Sequence, residues 1–176
     1  MQPDTGQVVA TNPAHAVRGQ KHVVKTGKTT VLTGEQAREL LDSIDTSTLV
    51  GLRDRALFSV MTFAFARIGA VVGMRVEDYY PKGKRWWVRL HEKGGKRHEM
   101  PAHHKLEAYL DSYIEAAASA TGALFRSAAG RTGTLTVTAM NRVDAWRMIQ
   151  RRAARARHAR QDRPPHLPRH GHHRLS

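Results

Sequence analysis

The sequence contains no cysteine in 176 residues. Neither disulfides nor thiolate metal sites are available to it. Acidic residues are scarce, 15 against 29 lysines and arginines, which leaves a net charge of +14. Such a balance points to a polyanionic partner, and nucleic acid is the usual one. No apolar run reaches the length of a membrane span and the N-terminus has no apolar signal core, so no membrane partner is expected. The protein is expected to be soluble and cytoplasmic. The length suits one domain with a real core, or a fragment of something larger.

The basic excess is uneven. Residues 151–176 hold eight arginines against one aspartate, half of the net charge. The first 150 residues keep the other half, so the expectation of DNA binding does not depend on the tail.

Residues 1–30 are polar and basic, without sustained periodicity, and read as linker. Thr33 and Gln36 fit a capping box that opens a helix with Ala37, Leu40, Leu41 and Ile44 inward. After a loop over 45–50, Leu52, Ala56, Leu57, Val60, Met61, Phe63 and Ala64 recur at helical spacing, as in a helix buried on most of its surface. Arg67 closes this run, and two readings of it are open. It is either a helix C-terminal cation that neutralises the macrodipole and snorkels to water, or a guanidinium held ready to grip an anion through two parallel N–H bonds.

The stretch from Arg85 to Pro101 reads as two short strands joined by a Gly-Gly turn, with Lys93 and Lys96 on either side of it. Leu106, Tyr109, Leu110, Tyr113 and Ile114 then mark an amphipathic helix over 103–117. Residues 122–135 read as a loop whose Leu124 and Phe125 plug back into the core. A last helix starts near Thr138, with Met140, Val143, Trp146 and Ile149 as its stripe, and runs into the arginines of 151–157. The sum is a mainly α fold with a small antiparallel β-hairpin or sheet, an α+β class.

The order of these features matches a known pattern. Arg53-Asp54 opens an apolar helix, Arg67-Ile68 ends it, Met74-Arg-Val-Glu-Asp78 follows, and a Lys-Gly-Gly-Lys hairpin leads to a proline. This resembles the catalytic domain of the tyrosine recombinases, the phage-integrase family, over about residues 31–157. The resemblance implies site-specific DNA recombination or integration, in which a tyrosine attacks a phosphodiester without metal or nucleotide cofactor. Two arginines bind the non-bridging oxygens, a lysine protonates the leaving oxygen and a histidine assists. By the same resemblance Arg67 is the first clamp arginine and Lys93 the hairpin lysine, both catalytic. Lys96, Arg97, Arg151 and Arg152 are expected to contact DNA. The partners implied are double-stranded DNA and other recombinase protomers, with no small-molecule substrate. Residues 1–30 would be the remnant of a linker from an N-terminal DNA-clamping domain. Where the family commonly has an acidic residue three positions after the arginine, this chain has Ala70, leaving Glu77 or Asp78 to support the guanidinium.

From residue 158 the chain turns into an Arg/His/Pro tail, expected to be disordered. His166-Leu-Pro-Arg169-His170 matches the family's His-x-x-Arg-His box, so His166 and Arg169 are the remaining site candidates. The prolines, however, exclude the helix that carries that box. All four tyrosines, Tyr79, Tyr80, Tyr109 and Tyr113, precede it, so no nucleophile is assigned. The expectation is an inactive, truncated recombinase that still binds DNA phosphate. The alternatives are a non-catalytic DNA-binding module or regulator of a full-length relative, a poorly folding pseudogene product, and an unrelated basic protein. Suitable GC-rich codons for 161–176, read one base later, encode a peptide with an intact His-x-x-Arg box in apolar context, so the tail is expected to be out of frame. Sequencing the coding DNA checks this: the shifted frame should encode a helix followed by a tyrosine, and a frame encoding neither sinks the idea.

Overall fold

The structure, a computed structural model, describes residues 33–92 and 94–161, with side chains described to 157. Residues 1–30, Lys93, and the tail with His166 and Arg169 lie outside the described residues. The described part is α+β as expected: five helices, a three-stranded antiparallel sheet and a two-stranded one.

Helix α1 (Gly34–Asp42) opens with the capping box read from the sequence. The Thr33 hydroxyl accepts the Gln36 amide at 3.2 Å, and the Gln36 side chain accepts the Thr33 amide at 2.9 Å. Helix α2 (Leu49–Phe63) starts inside the expected loop, because Thr48 accepts the Gly51 amide and caps it. Gly51 lies against the preceding loop so closely that an added Cβ would fall 1.8 Å from the Asp45 carbonyl oxygen. Only glycine permits this α1–α2 corner.

Helix α2 is the core helix, buried continuously from Ala56 to Val60. It packs against α4 (His104–Ala117), which turns Leu106, Leu110 and Tyr113 inward. Leu124 and Phe125 do plug the core, and the Tyr113 hydroxyl donates to the Leu124 carbonyl at 2.7 Å.

Three elements differ from the sequence reading. Strand β1 (Tyr79–Lys82) pairs with β2 (Arg85–His91), so the expected hairpin of β2 and β3 (Arg97–Pro101) is part of a three-stranded sheet. The segment expected to be loop contains β4 (Arg126–Ala128), paired with β5 (Leu135–Ala139). Helix α5 (Arg142–Gln161) begins later than expected, with Asn141 accepting the Asp144 amide at its start, and runs past residue 158. Its inward face is also rotated from the expected stripe. Ala145 and Met148 are buried, whereas Val143 and Trp146 are each 56% exposed. Leu57 is fully buried.

One buried ionic cluster ties the elements together. Asp54 is 2% exposed. Its Oδ1 accepts from Arg53 Nε and NH2 at 3.0 and 2.6 Å, and its Oδ2 accepts from Arg152 Nε and NH2 at 3.0 and 2.7 Å. Arg53 NH1 donates to the Arg126 carbonyl, and Arg126 NH2 donates to the Ala117 carbonyl. Thus Asp54 joins α2 to α5, Arg53 links them to β4, and Arg126 of β4 links on to the end of α4. Arg152, expected to face DNA, is turned inward instead, its side chain 18% exposed.

Removing that carboxylate strands two guanidinium groups. Asp54→Ala should cost about 3–5 kcal/mol, the usual effect of breaking a buried pair. Chemical denaturation of both proteins checks this; a loss within 1 kcal/mol would mean the cluster is open in solution.

Candidate functional site

Arg67 does not end α2. That helix stops at Phe63, and Arg67 is the N-cap residue of a short helix, α3 (Ile68–Val72). A cation there meets the positive end of the peptide dipoles, so the reading as a C-terminal dipole cap is corrected. Its side chain is 84% exposed. The carboxylate nearest to it is Glu92, with NH1 to Oε2 at 3.9 Å, too long for a firm pair.

Neither Glu77 nor Asp78 supports it. Glu77 pairs with Arg75 at 3.3 Å. Asp78, 4% exposed, accepts the Arg75 amide at 2.9 Å and faces His91 Nε2 at 3.0 Å. A carboxylate only accepts, so this pairing keeps the proton on Nε2 and fixes the ring.

A cleft of about 490 Å³ opens beside Arg67, lined by Ile68, Gly69, Ala70, His91, Glu92 and Arg142. Helix α3, the end of β2 and the start of α5 thus converge here. Ala70 is buried beneath it. His91 and Arg142 are the members that sequence reading did not assign. His91 could have been suspected from its place at the end of β2 before the turn. Arg142 has no local signal, since only the fold brings α5 to α3.

The basic hairpin forms the flank. Glu92 N–H donates to the Lys96 carbonyl at 2.8 Å, closing the turn, and Gly94 and Gly95 take φ of 84° and 75°, a left-handed pair that glycine adopts without strain. Lys96 and Arg97 are exposed, as is Arg151 on the outer face of α5. Across the sheet Arg89 Nε donates to Glu99 Oε1 at 2.8 Å, its cross-strand partner.

The tyrosines are engaged elsewhere. Tyr79 donates to Asp111 at 2.8 Å, and burial together with that bond pushes its phenol far above the ordinary range. Burial also raises Tyr80 and Tyr113. Tyr109 is partly buried under the Arg55 guanidinium, 4.6 Å from its ring centre. Phenols raised this way are poor nucleophiles near neutrality. Among the described residues no cluster of three or more histidine or acidic side chains could hold a metal ion, and no helix is long and apolar enough to cross a membrane.

The family model described as "Phage integrase family" matches residues 30–174. The chain belongs to the phage integrase family. The matched span includes Arg67 and the hairpin, and also His166 and Arg169. Solved structures of two tyrosine recombinases share the fold. XerH site-specific recombinase bound to its palindromic difH substrate, in a post-cleavage complex, aligns with a TM-score of 0.55 and 18% identity over 77% of this chain and 37% of that one. XerA recombinase aligns with a TM-score of 0.56 and 19% identity over 71% of this chain and 42% of that one. The chain therefore spans about two fifths of the length of these recombinases. Comparison with curated proteins gives no match.

The hairpin pairing offers a pH test. Arg89 beside Glu99 holds that carboxyl below the usual carboxylate range. A depressed folded value means the pairing stabilises the sheet above the unfolded value of about 4.3 and is lost as pH falls through the folded one. In Arg89→Ala the Glu99 carboxyl should titrate higher, towards its ordinary range, by carbon-13 NMR. An unchanged titration would show that the pair does not form.

Proposed function

We propose that this chain is a portion of a tyrosine-recombinase catalytic domain that holds a phosphate of double-stranded DNA without cutting it on its own. The observation that carries the reading is Arg67, standing exposed with only a long 3.9 Å pairing to Glu92, beside a cleft that Arg142 also lines, in a chain of the phage integrase family. A guanidinium can donate two parallel N–H bonds to the non-bridging oxygens of a phosphodiester. Arg142 adds a second cation on the α5 side, and His91, fixed by Asp78, offers a ring at the same cleft. Lys96 and Arg97 in the hairpin and Arg151 on α5 extend the contact along the DNA backbone, while Lys93, which lies outside the described residues, keeps by family resemblance the role of the catalytic lysine. His166 and Arg169 remain the candidates for the second half of the clamp, since the family match reaches them.

The family reaction is strand cleavage and rejoining through a phosphotyrosine bond. In this chain the four tyrosines serve packing and hydrogen bonding, which favours a second role: a DNA-binding module that occupies a site or regulates a full-length relative. XerH is bound to a difH DNA substrate in its complex. Duplex DNA as partner here follows by the same fold, the basic charge and the Arg67 cleft.

A suicide duplex substrate resolved on a denaturing gel, with retention measured across salt, tests both halves. The expected outcome is no covalent adduct, with binding that weakens steeply as salt rises. Arg67→Ala should bind more weakly and flatten the salt slope by about one unit. An adduct would make one of the four tyrosines a nucleophile, and salt-independent retention would remove the phosphate reading.

A further inference from the structure

Phe65 has the highest fractional exposure of the large apolar side chains described, 92%. Its backbone lies at φ 49°, in the left-handed region that residues with a Cβ enter only under strain. The φ is that of a helix stop, since Phe65 follows the Ala64 C-cap of α2 in the position where glycine is the usual occupant, but a helix stop has no use for an exposed aromatic ring. A strained backbone here displays an aromatic ring to water.

The surroundings explain how the strain persists. Ala64 and Ala66 on either side are buried. The Ala64 amide donates to the Val60 carbonyl at 3.0 Å, and the Arg67 carbonyl accepts from the Ala70 and Val71 amides at 2.9 and 3.1 Å. The connection between α2 and α3 is therefore pinned at both ends. Exposure alternates along it, buried at 64 and 66, exposed at 65 and 67. Phe65 and Arg67 are thus both open to solvent and only two residues apart in a short connection. The helix stop accounts for the backbone, and a glycine would make it without strain, so the exposed ring is the feature that the helix end leaves unexplained.

We propose that Phe65 is an apolar wedge that packs against a base or its deoxyribose in duplex DNA, beside the phosphate held by Arg67. The inference rests on the DNA reading above and adds a contact of a different kind. Aromatic side chains stack on bases with little sequence preference, and apolar wedges part base steps in duplexes. The chain's charge of +14 favours a polyanion over another basic surface as the occupant. A ring neutralises no phosphate, so its share of affinity should not depend on salt.

The test measures anisotropy of a labelled duplex with the full chain, across salt, for Phe65→Ala, Phe65→Gly and Arg67→Ala. Both Phe65 variants should bind about tenfold more weakly with an unchanged salt slope, a loss within the usual range for a stacking aromatic. Phe65→Gly also relieves the backbone, so its Tm should equal or exceed the parent's while its affinity falls. That combination separates a lost contact from a damaged fold. If Arg67→Ala weakens binding and both Phe65 variants bind like the parent, the wedge is refuted and the phosphate reading stands. If the parent does not retain duplex, both fall together. If light scattering shows the parent as a dimer that the Phe65 variants break, the ring serves a second copy of the chain and the wedge is refuted.

Discussion

The described structure depends on a single carboxylate. Asp54 sits inside the protein with one oxygen on Arg53 and the other on Arg152. Neither charge could stay there unpaired, because a buried ion without a partner loses its hydration and gains nothing in return. Each arginine then reaches a different part of the fold. Arg53 reads the backbone of β4, while Arg152 fixes α5, whose first residue, Arg142, lines the cleft. The cleft wall farthest in sequence from Arg67 is thus held by an interaction near the middle of the same helix.

A second carboxylate, Asp78, does the comparable task for the near wall. It closes the turn after Arg75 and aligns His91 at the end of β2. Arg67 itself is left without such a brace, its nearest acidic group at 3.9 Å. Two buried acids therefore organise the walls while the exposed cation between them keeps its hydrogen-bonding capacity for something outside the protein. With Arg53 and Arg152 spent on the interior and Arg67 left at the surface, only part of the basic composition faces outward at the cleft.

What the sequence revealed was what is local. The Thr33 capping box and the α4 stripe involve residues within a few positions, and both formed as read. Arg67 was found by the order of motifs along the chain, with no help from helical period, which placed it at the wrong end of a helix. Strand β1 was missed because Tyr79-Tyr-Pro-Lys82 is short and carries a proline. The inward face of α5 was misread because Val143 and Trp146 are larger and more apolar than Ala145, yet it is Ala145 that fits against the packed interior. The Asp54–Arg152 contact spans 98 positions and leaves no periodic trace. Arginines in a run look alike in sequence, and only the fold separates Arg152 from Arg151.

Helix α5 carries that distinction further. An α-helix turns about 100° per residue, so one residue gained or lost between Asn141 and Arg152 would swing Arg152 away from Asp54 and present a different side chain to it. Beyond Arg152 the described residues offer no buried ion pair, only the small Ala156 against the core, and the same change would disturb far less. The boundary between sequence whose length is fixed and sequence whose length is free to vary therefore falls within one unbroken helix, where neither an alignment gap nor a loop would announce it.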